Sequence, residues 1–306
     1  MSATDSPAAS PRRAPAPPEQ LLERLDWYVI RRLDGLLQGD YRTLLYGTGL
    51  DFADLREYQP TDDVRHIDWN VTARTDTPFV RQYVDERELT AWLLLDRSPS
   101  MSFGHTDRPK EVVLTELVAT IARLVTRNGN RVGAVLYDNA VEQIIEPRSG
   151  RNQVLRIAHE LLRSPTRTGT TTDLSGLFET GLGCIKRRSL VFVISDFITE
   201  DGWERSLALL ARRHEVVAIR VSDPREVDLP NAGIVVMEDA ETGEQLFVDT
   251  SDPAFRRRFH AAAAAREARI QATAGRVGVD LHTLSTDEDL VRGLVRIVEL
   301  RKQRRR

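Results

Sequence analysis

Three oxygen-rich clusters in this sequence are built from residue types that bind a hard cation. They are Asp96-Arg97-Ser98-Pro99-Ser100-Met101-Ser102, Ser195-Asp196, and Thr168-Gly169-Thr170-Thr171-Thr172-Asp173. Carboxylate and hydroxyl oxygens suit Mg²⁺ or Mn²⁺ equally, so the residues do not choose between the two. The Asp96-x-Ser98-x-Ser100 spacing lets one tight turn aim alternate side chains at a single point. Asp96 and Asp196 offset the charge of an ion, while neutral hydroxyls add ligands without quenching it. An ion held this way keeps an open position for an incoming carboxylate. Ser, Thr and Asp after strands are also ordinary helix caps and turn formers. Asp173, at the start of a helical pattern, reads as such a cap and not as a ligand.

The elements around the clusters give the pattern its weight. Leu89–Leu95 and Leu190–Ile194 are unbroken apolar runs, the signature of strands buried on both faces. The first cluster follows one run and Ser195-Asp196 follows the other. Helical spacing is read over 111–127, 152–162, 173–186, 203–213, 255–274 and 288–301. Further strands are read over 131–137, 141–145 (an edge strand), 215–221 and 279–284. Ile234–Val236 and Gln245–Val248 flank a turn at Thr242-Gly243, a hairpin insertion near 225–250. The alternation predicts an α/β fold, a doubly wound, mostly parallel sheet with helices on both faces. In such sheets ligands gather beyond the carboxyl ends of the strands, where strand order reverses.

Residues 1–18 are rich in Pro and Ala with little to bury and read as a disordered lead. Residues 19–87 read as a helix over 19–38 and an irregular, β-containing segment packed on the main domain at 88–306. With 41% apolar and 29% charged residues, the 306-residue chain has the composition of a soluble globular protein. A net charge of -3 gives no bulk field toward nucleic acid or an anionic membrane. The basic end from Arg301 to Arg306 reads as a solvated helix tail, with contact to an acidic partner as the alternative. Cys184 is the single cysteine, a buried filler that excludes an internal disulfide and suits a reducing compartment. No apolar run is long enough for a membrane span, and the N-terminus lacks a signal-peptide core, so a cytoplasmic location is expected.

The three clusters, with Thr172-Asp173-Leu174 between the two strands, resemble the metal-ion-dependent adhesion site of von Willebrand factor A domains. The upstream block Leu55-Arg56-Glu57-Tyr58-Gln59-Pro60-Thr61-Asp62-Asp63-Val64-Arg65-His66-Ile67-Asp68-Trp69, with Ala73-Arg74, resembles the signature of the bacterial family called domain of unknown function 58. The motifs cover about residues 44–200. The resemblance implies a von Willebrand A-like fold, with Ser98, Ser100 and Thr172 touching the metal and Asp96 and Asp196 ligating directly or through water. It also implies action beside a MoxR-type AAA+ ATPase in the maturation of client proteins. Thr61 stands where the family usually has glycine. Three consecutive threonines leave Thr170 and Thr171 open as alternatives, and Thr172 is chosen for its place before Asp173-Leu174.

In the signature block, Arg56, Asp62, Asp63, Arg65, Asp68 and Arg74 alternate in sign among Tyr58, Ile67 and Trp69. The favoured reading pairs the charges with each other while the aromatics anchor the segment. The competing reading makes Arg56, Tyr58, Asp63, Arg65, Asp68, Trp69 and Arg74 a surface for the ATPase or its client. The function expected is a non-enzymatic, metal-dependent binding module, since the chain lacks a phosphate-binding Gly-x-x-x-x-Gly-Lys loop. A metal-assisted hydrolase with His105 as base is the alternative. A serine nucleophile lacks its Gly-x-Ser-x-Gly elbow, and a metal-free scaffold is disfavoured because every ligand type is present.

Overall fold

The computed structural model describes residues 17–33, 54–59, 64, 67, 69–75, 77–82, 89–105, 108–127, 129–163, 172–238 and 243–304. The elements in chain order begin with α1 (Pro18–Leu25), β1 (Asp54–Glu57), α2 (Trp69–Thr75), β2 (Phe79–Gln82) and β3 (Thr90–Asp96). Next come β4 (Gly104–His105), β5 (Arg108–Pro109), α3 (Lys110–Arg127), β6 (Arg131–Tyr137), β7 (Val141–Arg148), α4 (Arg151–Leu162) and α5 (Leu174–Cys184). The chain continues through β8 (Leu190–Ser195), α6 (Glu204–Arg213), β9 (Glu215–Ser222), β10 (Ile234–Glu238) and β11 (Gln245–Asp249). It ends with α7 (Pro253–Arg276), β12 (Asp280–Ser285) and α8 (Leu290–Arg304).

Six strands form the central sheet in the order β12-β9-β8-β3-β6-β7. Every neighbouring pair is parallel except β6 with the edge strand β7. The chain leaves β3 outward to β6 and later returns to the other flank of β3 as β8. Strand order therefore reverses between β3 and β8, whose ends carry Asp96 and Asp196.

The apolar runs of β3 and β8 serve two cores because side chains alternate across a strand. Leu93, Leu95, Phe192 and Ile194 join one cluster with α1, α3, α4 and α8. Trp92, Leu94, Val191 and Val193 join the other with α5, α6 and Ile270 of α7. Phe192 is fully buried, and removing about its whole side chain would cost about 3–5 kcal/mol. At the β6–β7 pair the register shifts, and a Cβ on Gly133 would lie 2.9 Å from the Ile145 carbonyl oxygen. Only glycine lets the edge strand come this close.

Helix α1 runs on through one π turn, Asp26–Ile30, and buries Leu21, Leu22, Leu25, Val29, Ile30 and Leu33 against the first core. Arg123 Nε donates to Asp26 Oδ1 at 2.8 Å, fastening this turn to α3. The irregular segment contributes the antiparallel pair β1–β2 and the short helix α2. That helix departs from the sequence expectation: Trp69 opens it and is 68% exposed, so it does not anchor the segment. From α3 onward, helices start and stop within a few residues of their predicted limits, while the expected end of the first helix at 38 lies outside the described residues; α8 begins at Leu290, with Asp289 accepting from the Arg292 amide. Among the described residues no helix is long and apolar enough to cross a membrane. The expected disordered lead falls almost wholly at residues outside those described, as does Thr242 of the hairpin turn.

Candidate metal centre

Asp96 is the last residue of β3 and is fully buried. Its Oδ1 accepts from the Ser98 amide at 2.9 Å, which closes the turn and brings the Ser98 and Ser100 hydroxyls within 3.0 Å of each other. Its Oδ2 accepts from Ser195 Oγ at 2.5 Å, across the β3–β8 boundary. Ser98 and Ser100 are nearly buried, and a short 3₁₀ turn from Pro99 to Ser102 carries the chain away.

Asp196 directly follows β8 and is also fully buried. Its Oδ1 accepts from the Ile198 amide at 2.9 Å, while the Phe197 amide donates to Ser195 Oγ at 2.8 Å. These bonds need the chain to turn sharply, and Phe197 does so with φ of 56°. A left-handed conformation is uncommon for so large a residue. It is tolerated because the Phe197 ring is buried against Trp203, with centroids 5.6 Å apart.

Thr172 is buried, and its carbonyl accepts from Thr199 Oγ1, which ties the third turn to the loop carrying Asp196. Asp173 is the N-cap of α5, accepting from the Ser175 amide at 2.8 Å, as its position predicts. Thr170 and Thr171 fall outside the described residues. Arg97, between the two acid and hydroxyl positions, points the other way. Its guanidinium donates to Glu142 Oε2 at 2.7 Å and to the carbonyls of Leu161 and Arg163 at 3.4 and 2.5 Å. One side chain thus fixes the Asp96 turn, the edge strand and the end of α4, from which the chain departs toward Thr172.

Residues from β3, from the loop after β8 and from the start of α5 therefore meet at one edge of the sheet. The neighbouring acid and burial act together on Asp96: burial first, then the charge of Asp196, push its carboxyl up to about 7. Two buried carboxylates stand close together with the Lys110 ammonium against only one of them, Asp196, and the hydroxyls beside them are hard ligands too; this set of oxygens fits a hard divalent cation. Among the described residues no three His, Cys, Asp or Glu side chains gather where they could share an ion. Ser98, Ser100 and Thr172 would supply the further oxygens.

The sequence reading missed Lys110, the first residue of α3. It is fully buried, and its Nζ donates to Asp196 Oδ2 at 2.6 Å and, more closely still, to Glu226 Oε1. Burial alone lowers an ammonium's proton affinity, but Asp196 and Glu226 more than offset it and hold Lys110 above its usual range. Glu226 closes a capping box with Asp223, and Asp223 Oδ2 accepts from Thr286 Oγ1 at 2.7 Å. The contact reaches across the ends of β8, β9 and β12. A signal for Lys110 exists in the sequence: of 43 basic residues only Lys110, Lys186 and Lys302 are lysines. A chain that otherwise uses arginine keeps a compact point charge at this position.

The signature block is only partly visible. Tyr58 is half-buried and Arg74 is exposed at the end of α2. Arg56 lies on β1, but its side chain, and all of Asp63, Arg65 and Asp68, are outside what is described. The same holds for the side chain of His105, whose backbone forms β4.

The doubly wound sheet, with an acid and hydroxyl turn at its switch point, has a von Willebrand factor A-like fold. The family described as "Protein of unknown function DUF58" matches residues 54–269, more than half of the chain, and the chain belongs to that family. It is 39% identical over 285 residues to the uncharacterized protein Rv1480 of Mycobacterium tuberculosis, covering 92% of this chain and 89% of that protein. The uncharacterized protein Mb1516 of Mycobacterium bovis matches to the same extent. Among solved structures, BatB from Bacteroides thetaiotaomicron aligns with a TM-score of 0.44 and 13% identity, over 71% of this chain and 100% of that one. The von Willebrand factor domain of the pili tip protein Mfa5 from Porphyromonas gingivalis aligns with a TM-score of 0.33 and 10% identity, over 71% of this chain and 95% of that one.

Proposed function

We propose that the chain is a metal-dependent protein-binding module that works beside a MoxR-type AAA+ ATPase in the maturation or assembly of client proteins. The observation that carries the metal-binding half is the pair Asp96 and Asp196: two fully buried carboxylates beside the paired Ser98 and Ser100 hydroxyls. A bound Mg²⁺ or Mn²⁺ would supply an electrophilic position able to accept a carboxylate oxygen from a partner. The Ser98, Ser100 and Thr172 hydroxyls hold it without adding negative charge, and Asp96 and Asp196 balance it from behind. The Ser195 and Ser98 donors keep Asp96 aimed, and the Ile198 amide keeps Asp196 aimed. The ATPase partnership is carried over from the family's signature block and from the absence of a phosphate-binding Gly-x-x-x-x-Gly-Lys loop in the sequence.

The test is a pull-down of a purified MoxR-type ATPase by the full chain in Mg²⁺. Chelator, Asp96→Ala and Ser98→Ala should each abolish capture. Capture that persists under all three conditions refutes the metal-dependent reading.

A further inference from the structure

We propose that Lys110 is a built-in counter-cation that neutralises Asp196, weakens the protein's own grip on a divalent ion, and so leaves that ion selective for an acidic partner group. The inference rests on the metal-centre reading above and adds the residue that tunes it. Asp196 and Glu226 are buried against one ammonium, that of Lys110, and Asp96 lies close to Asp196. The buried Arg220 guanidinium lies near both Asp196 and Glu226 but is paired with Glu267 and with the Asp196 carbonyl, so Lys110 is the cation that touches the Asp196 carboxylate. Removing Lys110 leaves one more uncompensated negative charge at Asp196.

Geometry gives the lysine its role. Asp196 Oδ1 is taken by the Ile198 amide and Oδ2 by Lys110 Nζ, so both oxygens already have donors. Asp96 is likewise engaged on both oxygens. The Ser98 and Ser100 hydroxyls bond each other and Ser98 also supports Asp96, so what they offer an ion is lone pairs on neutral oxygens, which are weak ligands. An ion resting on neutral oxygens, with a fixed positive charge nearby, retains more of its own charge. A partner's carboxylate then contributes a larger share of the binding. Glu226 sets the strength of this effect from outside the ligand set, because it competes with Asp196 for the same ammonium. The shape also favours lysine: a planar guanidinium does not place a single point charge between two carboxylates as an ammonium does.

The experiment is a titration of the full chain with Mn²⁺ alone, followed by calorimetry or by the spin-resonance signal of free Mn²⁺. Lys110→Met should tighten Mn²⁺ binding at least tenfold, and Glu226→Gln should weaken it at least tenfold. The double variant Lys110→Met/Glu226→Gln, which restores the net charge, should return to within a few-fold of the wild type. Thermal unfolding checks that each variant is folded; if Lys110→Met alone does not fold, Glu226→Gln and the double variant carry the test. A structural role for Lys110 would weaken binding in every variant, and that result overturns the inference. Unchanged affinity in folded Glu226→Gln also overturns it. If the wild type binds Mn²⁺ and Asp96→Ala does not, the metal-centre reading stands whichever way Glu226→Gln falls. If the wild type binds no Mn²⁺, both fall together.

Discussion

Protons and a divalent ion should compete for Asp96. Its carboxyl, normally titrating near 3.8, is pushed up to about 7 by burial and by Asp196. Metal ligation requires the deprotonated form, so apparent affinity scales with the ionised fraction. With a midpoint near 7, that fraction is about one in eleven at pH 6 and about ten in eleven at pH 8, so Mn²⁺ should bind about tenfold more tightly at pH 8. The ion-free chain should show the opposite trend in stability. Folded Asp96 keeps its proton to a higher pH than unfolded Asp96, so the folded state binds more protons between about pH 4 and 7. Stability without metal therefore falls as pH rises through that window, and saturating Mn²⁺ restores it above pH 7. The assay is a Mn²⁺ titration at pH 6, 7 and 8, paired with urea unfolding in chelator and in Mn²⁺. Equal affinity at pH 6 and pH 8 refutes the reasoning. So does an Asp96→Asn variant that keeps the full pH dependence.

Other outcomes follow from packing. Arg97→Ala removes the bond to Glu142 and the two carbonyl contacts at the end of α4, and should destabilise the chain by about 3 kcal/mol in urea unfolding. Gly176→Ala places a Cβ 2.1 Å from Tyr137 Oη, which must leave the Asn139 carbonyl it donates to; a loss of about 1–3 kcal/mol is expected by the same assay. Phe192→Ala should cost about 3–5 kcal/mol at the centre of the sheet, seen as a lower urea midpoint with little change in slope.

Much of this arrangement was legible in the sequence because its signals are local. The runs that became β3 and β8 are continuous and apolar, which suits strands covered on both faces. The acid and hydroxyl clusters sit directly behind them, and Asp173 advertises its cap by position alone. Other features were illegible for physical reasons. The π turn at Asp26–Ile30 keeps nearly the same apolar spacing as the helix around it, so periodicity does not separate them. Helix α2 is short, with Trp69 exposed where an aromatic was expected to anchor. Lys110 begins an amphipathic helix, where a charge normally faces water. Its acidic partners lie 86 and 116 residues further along the chain, so no local pattern names them.

Because the chain has so few lysines, Lys110 can also serve as a chemical reporter. Lys186 and Lys302 stand in solvent, whereas the Lys110 amine is sealed at the junction of β8, β9 and α3. An acylating reagent applied to the native protein should modify the two exposed amines at once. The third should react only as fast as the sheet edge comes apart, so its labelling rate times the breathing of the ligand turns themselves.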